Sequence, residues 1–90
     1  MARPRKMDHL IQHHMDDEVL VYDPAVDRTH RLNVSATLIW ELCDGTRSLD
    51  DIARVLTEQF EVEFETALQD VRTVLEQLKE EQLLAGVTVI

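Results

Sequence analysis

Two periods divide the chain. Up to about residue 33 apolar positions alternate with polar or turn-forming ones, and beyond it they recur every three or four residues. Residues 9–15 alternate weakly, residues 18–22 form a β-branched and aromatic run, and residues 29–33 make a short third segment. Asp16 and Asp17 separate the first two, and residues 23–27, with Pro24, separate the second from the third. This is turn chemistry between strands, and it predicts an antiparallel three-stranded meander with one apolar face to cover.

The second half supplies the cover. Asn33 is a good N-cap for a helix running to about Cys43 and stopped by Asp44 and Gly45, with the glycine as the residue after the cap. Val34, Leu38, Ile39, Trp40, Leu42 and Cys43 make that helix apolar nearly all round, so it should be the most buried of three. Ser48 and Asp51 have the spacing of a capping box before a helix that puts Leu49, Ile52, Ala53, Leu56 and Phe60 on one face. A third helix is predicted over residues 64–83, with Phe64, Leu68, Val71, Leu75, Leu78 and Gln82 in one narrow arc and only Glu63 as a weak cap. Ala67 and Val74, beside Asp70 and Gln77, widen this stripe on one side, whereas Arg72 and Lys79 end it at once on the other. A stripe wider than one packing contact requires, next to a sheet edge, is how a peptide groove is built.

Ninety residues are enough for one hydrophobic core, so residues 1–90 are read as a single domain, with 1–7 a disordered basic tail and 85–90 a second tail. Gly86 punctuates the end, and residues 87–90 are β-prone. The resulting class is α+β, three antiparallel strands followed by three helices, in a winged helix-turn-helix-like arrangement. No apolar run approaches the ~20 residues of a membrane span, and no apolar segment follows the basic start as in a secretion signal. A cytoplasmic location is therefore expected.

Charge and chemistry mainly exclude. All 18 acidic residues lie at or beyond Asp8, and the net charge of the chain is −9. Such a field repels phosphate backbones, so no nucleic acid partner is expected. The helix pair next to a small sheet would suit a winged DNA-binding regulator, but its recognition helix would offer Glu65, Asp70, Glu76 and Glu80 against Arg72 and Lys79. Cys43 is the single cysteine, which rules out an internal disulfide or a cysteine zinc cluster. His9, His13, His14 and His30 lack metal-ligand spacing, and strand alternation sends His14 to the face opposite His9 and His13. Neither a nucleophile motif nor a phosphate-binding glycine loop is present, so neither catalysis, metal nor cofactor is expected.

The run from Leu32 and Asn33 through Ile39, Trp40, Glu41 and Leu42, then Asp44, Gly45, Ser48, Ile52 and Leu56, then Asp70, Val71, Leu75, Leu78, Leu83 and Leu84, resembles the PqqD family. The resemblance covers roughly residues 21–84. It implies a winged helix-turn-helix-like recognition element for ribosomally made, post-translationally modified peptides, without catalysis of its own. A precursor's leader peptide would add as a strand to the third strand, pack against the third helix, and be delivered to a tailoring enzyme, often a radical-SAM protein. Carried over by position, the edge would be Thr29, His30, Arg31, Leu32 and Asn33, and the facing wall Ala67, Asp70, Val71 and Val74. Arg31 would pair with an acidic leader residue, and Val71 and Val74 would floor a pocket for an apolar one. Residues 21–24, and Leu32 and Asn33 followed by Ile39 and Trp40, depart from members that make pyrroloquinoline quinone and look like the broader family. Besides the DNA-binding regulator, the alternative is a dimerisation module, a homodimer formed through a bare edge strand.

Overall fold

The computed structural model describes residues 3–85. Its elements run β1 (Arg5–Lys6), β2 (Ile11–Met15), β3 (Glu18–Asp23), β4 (Arg28–Leu32), α1 (Val34–Glu41), α2 (Leu49–Gln59), α3 (Phe64–Glu80) and β5 (Leu84–Ala85). The expected α+β order is present: β2, β3 and β4 form an antiparallel sheet in chain order, and three helices follow. The β-prone segment 86–90 lies outside the described residues.

Residues 3–7 are not part of the disordered tail expected over 1–7 from composition. β1 pairs antiparallel with β5, Arg5 opposite Ala85 and Lys6 opposite Leu84. On its other side the Lys6 N–H donates to the Cys43 carbonyl at 3.2 Å, and the Pro4 carbonyl accepts from the Gly45 N–H at 2.9 Å. Pro4 is fully buried. The segment is therefore a main-chain tie between the α1–α2 connection and the end of α3, a pattern two residues long that alternation cannot reveal. Lys6 also reaches the carbonyls of Glu41 and Cys43, both at 3.4 Å, with its ammonium 5.4 Å from the centre of the Trp40 ring. It supplies the positive charge that the last turn of α1 lacks. Because Arg3, Arg5 and Lys6 belong to the folded part, the described residues carry the full −9, not the −12 that a detached basic tail would leave.

Helix ends follow local chemistry. Asn33 Oδ1 accepts from the Ala36 N–H, and Ser48 and Asp51 form the reciprocal capping box. Glu63 makes no side-chain cap, as expected from its weak propensity. Two C-termini differ from the reading of the sequence. α1 is capped by Leu42, and Gly45, with φ at +85°, serves the following turn. α3 stops at Glu80, and Gln82 sits in a left-handed turn, exposed, so it leaves the buried arc.

The core fills the space between the inner face of the sheet and the helices. Val19 and Val21 of β3, Leu32 of β4, Ile39 and Trp40 of α1, Ile52, Ala53 and Leu56 of α2, and Val71, Leu75 and Leu78 of α3 are all buried in one cluster. α1 has the largest buried share, yet its first residue, Val34, is 44% exposed, so the helix is not apolar-covered all round. Thr37 is the one buried polar residue of α1. Its hydroxyl donates to the Leu32 carbonyl and accepts from the Val19 N–H, both at 3.1 Å.

Thr37→Val keeps the shape of this side chain but leaves a buried N–H and a buried carbonyl unpaired, and should cost about 1–3 kcal/mol in urea unfolding, with Thr37→Ser far milder. The Asp51 carboxyl is held below the usual carboxylate range, chiefly by the Ser48 backbone N–H and then by the Ser48 hydroxyl. A carboxyl whose folded pKa lies below its unfolded value, ~3.9, stabilises fully above that value and loses this as pH falls through the folded pKa. Melting temperatures of Asp51→Ala and the parent chain should therefore differ most near neutral pH and converge as pH falls below about 4.

Candidate functional site

The sheet leaves β4 without a neighbour on its outer side among the described residues. Which of its backbone groups are free follows from the hairpin. Met15 and Glu18 flank the two-residue turn at Asp16 and Asp17, so they form its closing hydrogen-bonded pair. The polar groups of Glu18, Leu20 and Tyr22 then face β2, and those of Val19, Val21 and Asp23 face β4. Their partners there are Leu32, His30 and Arg28. Thr29 and Arg31 are left with N–H and C=O directed outward. The Thr37 hydroxyl agrees with this phase, since it bridges Val19 N–H and Leu32 C=O across the same gap.

Beside that edge lies a groove of about 560 Å³. β4 contributes Thr29, His30, Arg31 and Leu32 as one wall, and Val74, Gln77, Leu78 and Glu81 of the last turns of α3 and its end form the other. Ala36 and Leu83 close it below. Leu32, Leu78 and Leu83 are buried and Val74 is half-buried, so the floor is apolar. The rim carries both signs. Arg31 binds Glu18 through Nη2 at 2.6 Å and Nε at 2.8 Å, while Glu81 Oε2 stands 3.7 Å from Arg28 Nη1 and 3.9 Å from His30 Nδ1.

The structure thus brings together Thr29, His30, Arg31, Leu32 and Val74 of the residues anticipated for the site. Asn33 sits at the end of the edge with its side chain spent on the α1 cap. Ala67 and Val71 are fully buried in the core behind the wall, and Asp70 is exposed one turn before the groove begins. Gln77, Leu78, Glu80 and Glu81 line it without having been singled out as wall residues. One signal was available: Asp70, Val74, Gln77 and Glu81 fall within an arc of about 60° at 100° per residue, so the stripe continues toward the C-terminus.

No cysteine lines the groove. Cys43 is buried away from it, donates to the Ile39 carbonyl, and has its thiol pushed up to about 12 by burial. A thiol so raised stays protonated and unreactive at neutral pH. The histidines are dispersed: His9 meets Asp23 at 3.0 Å, His14 meets Glu41 at 3.5 Å, and His30 is at the groove. Among the described residues no three His, Cys, Asp or Glu side chains are grouped to hold a metal ion. No helix among them is long and apolar enough to cross a membrane.

Two solved structures share this architecture. One is TbiB1 in complex with the TbiA(beta) leader peptide, 24% identical, with a TM-score of 0.87 over 94% of this chain and 99% of that one. The other is lasso peptide synthetase B1 complexed with the leader peptide, 26% identical, with a TM-score of 0.83 over 93% of this chain and 99% of that one. A search of curated proteins finds no match. The family model for coenzyme PQQ synthesis protein D matches residues 18–84, the whole span from β3 to β5 that builds the edge and its wall, and the chain belongs to the PqqD family.

Proposed function

We propose that this chain is a non-catalytic carrier that binds the leader segment of a ribosomally made precursor peptide as a fourth strand on β4 and presents it to a modifying enzyme. One observation carries the reading: the outward N–H and C=O groups of Thr29 and Arg31 run beside an apolar-floored groove. A strand laid there gains main-chain hydrogen bonds from the edge, while every second side chain drops toward Leu32, Val74 and Leu78. Backbone pairing gives affinity with little sequence demand, and the groove then selects among peptides. Leader peptides bound to both structural neighbours support the same reading.

Within it, the side-chain contacts are Thr29, His30, Arg31, Leu32 and Val74, joined by Gln77, Leu78 and Glu81. Ala67 and Val71 act from behind by fixing the depth of α3, Asp70 extends the wall toward its N-terminal end, and Asn33 ends the edge by starting α1. Arg31 is already neutralised by Glu18, so an acidic leader residue would have to displace that carboxylate or share the guanidinium. The enzyme served is a tailoring enzyme, such as a radical-SAM protein, and the work is done in the cytoplasm by residues 1–90 as one domain. Self-pairing through β4 would compete for the same edge, and a net charge of −9 on each copy opposes it.

Hydrogen exchange read by NMR tests the strand model at single amides. In the free chain the amides of Thr29 and Arg31 should exchange quickly and those of His30 and Leu32 slowly. Adding a synthetic leader peptide that the chain binds should slow Thr29 and Arg31 at least tenfold. Val74→Glu, which sets a carboxylate in the groove, should weaken calorimetric affinity for that leader at least tenfold. Arg31→Pro should do the same, because it removes an outward donor. Leader binding that leaves Thr29 and Arg31 unprotected, or that survives both substitutions in folded protein, would refute the model.

A further inference from the structure

A second groove, of about 480 Å³, lies on the other side of α1 from the first. Ala36 faces the β4 groove, whereas Val34, Thr37 and Leu38 of the same helix face this one, which is closed by Phe60 at the end of α2. Val34, at the start of α1, is 44% exposed. A smaller hollow of about 280 Å³, bordered by Met15, Glu18, Arg31 and Val34, continues the surface to the β4 edge, and Met15 there is 39% exposed. The two grooves share α1 as a partition, so occupants of both could be held at once.

The electrostatics of the two grooves differ. The one on β4 carries both signs, with His30 and Arg31 as well as Glu80 and Glu81 in its lining. The second is lined by Asp16, Asp17 and Glu41, with no Lys or Arg, and its single basic group, His14, already leans on Glu41 at 3.5 Å. The last turn of α2 ends in it at Gln59 and Phe60, and that turn carries no basic residue, so the negative end of the helix dipole adds to the same sign. An apolar floor under an unbalanced anionic rim is complementary to a segment in which large apolar side chains stand beside Lys or Arg.

We propose that this groove is a protein-docking site for such a cationic and apolar segment, and that the segment belongs to the enzyme that acts on the carried peptide. Only the identity of that partner rests on the carrier reading. The preference for a cationic, apolar segment rests on the groove alone. A second copy of this chain fits poorly, because it would set acid against acid.

The test selects random dodecapeptides displayed on phage against the full chain carrying Val74→Glu, so that ligands of the β4 groove are disfavoured. Enriched sequences should carry Lys or Arg within two residues of Leu, Phe or Trp. A synthetic peptide of the consensus should shift the amides of Val34, Leu38 and Phe60 in heteronuclear NMR spectra. Asp17→Lys combined with Glu41→Lys, both at exposed positions, should weaken that peptide at least tenfold in the parent chain and change leader affinity less than twofold. The proposal is overturned by any of four results: no enrichment, enrichment without basic residues, shifts confined to residues 29–32, or binding indifferent to the double substitution. Loss of leader binding in the unsubstituted chain would instead strike the carrier reading and leave the docking site standing.

Discussion

A single hydroxyl joins the three elements on which the molecular surface depends. Thr37 lies one turn into α1, and its Oγ1 takes the Val19 N–H from β3 and gives its proton to the Leu32 carbonyl of β4. Both strand groups are at the end of the sheet, where the helix leaves it, and without a partner each would be a buried polar group left without water. The hydroxyl therefore does what a further ladder rung would have done, while binding the first turn of α1 to the sheet. From this junction follow the direction of α1, the burial of Ile39 and Trp40 on its inner side, and the exposure of Val34 at its start.

The same junction explains why β4 stays bare. The chain leaves β4 directly into α1 through the Asn33 cap, with no residues to spare for a further strand, and the helices then pack on the inner face of the sheet. An exposed edge is ordinarily a hazard, because it pairs with any strand that reaches it. Here the edge is five residues long and is flanked by Arg31 on the outer face and by α3 on the inner. A partner strand must therefore satisfy the wall as well as the ladder, which turns a general stickiness into selection.

Much of this was legible from local chemistry. The strands 18–22 and 29–33, the caps at Asn33 and Ser48 and the weak start at Glu63 all rest on neighbours within four residues, and the structure has them within a residue or two. What was not legible depends on residues far apart in sequence. β1 and β5 are two residues each, and only their meeting across the whole chain makes them strands. Of the wall expected at Ala67, Asp70, Val71 and Val74, Val74 lines the groove beside β4, and Gln77, Leu78 and Glu81, further along α3 and at its end, line it with Val74. Helical periodicity fixes the angle of a residue around the axis but not how far along the axis another element meets it. That distance is set by how α2 packs along α3, which sinks Ala67 and Val71 into the core and leaves Val74, Gln77 and Glu81 beside the edge.

The acidic charge, which as a net figure does little beyond disfavouring phosphate, acquires a direction once it is placed on the fold. Two of the carboxylates beside β4 are compensated: Glu18 by Arg31, and Glu81 by Arg28 and His30. The edge thus presents a peptide with a nearly neutral path, suited to backbone pairing, which is insensitive to side-chain charge. Asp16 and Asp17, which have no ion-pair partner among the described residues, lie instead behind α1 with Glu41, which meets only His14, and apolar side chains are also exposed there. Because long-range fields act on encounter rates more than on final affinity, a cationic partner would be drawn to that side first. It would then leave the neutral edge free for the strand it is to receive.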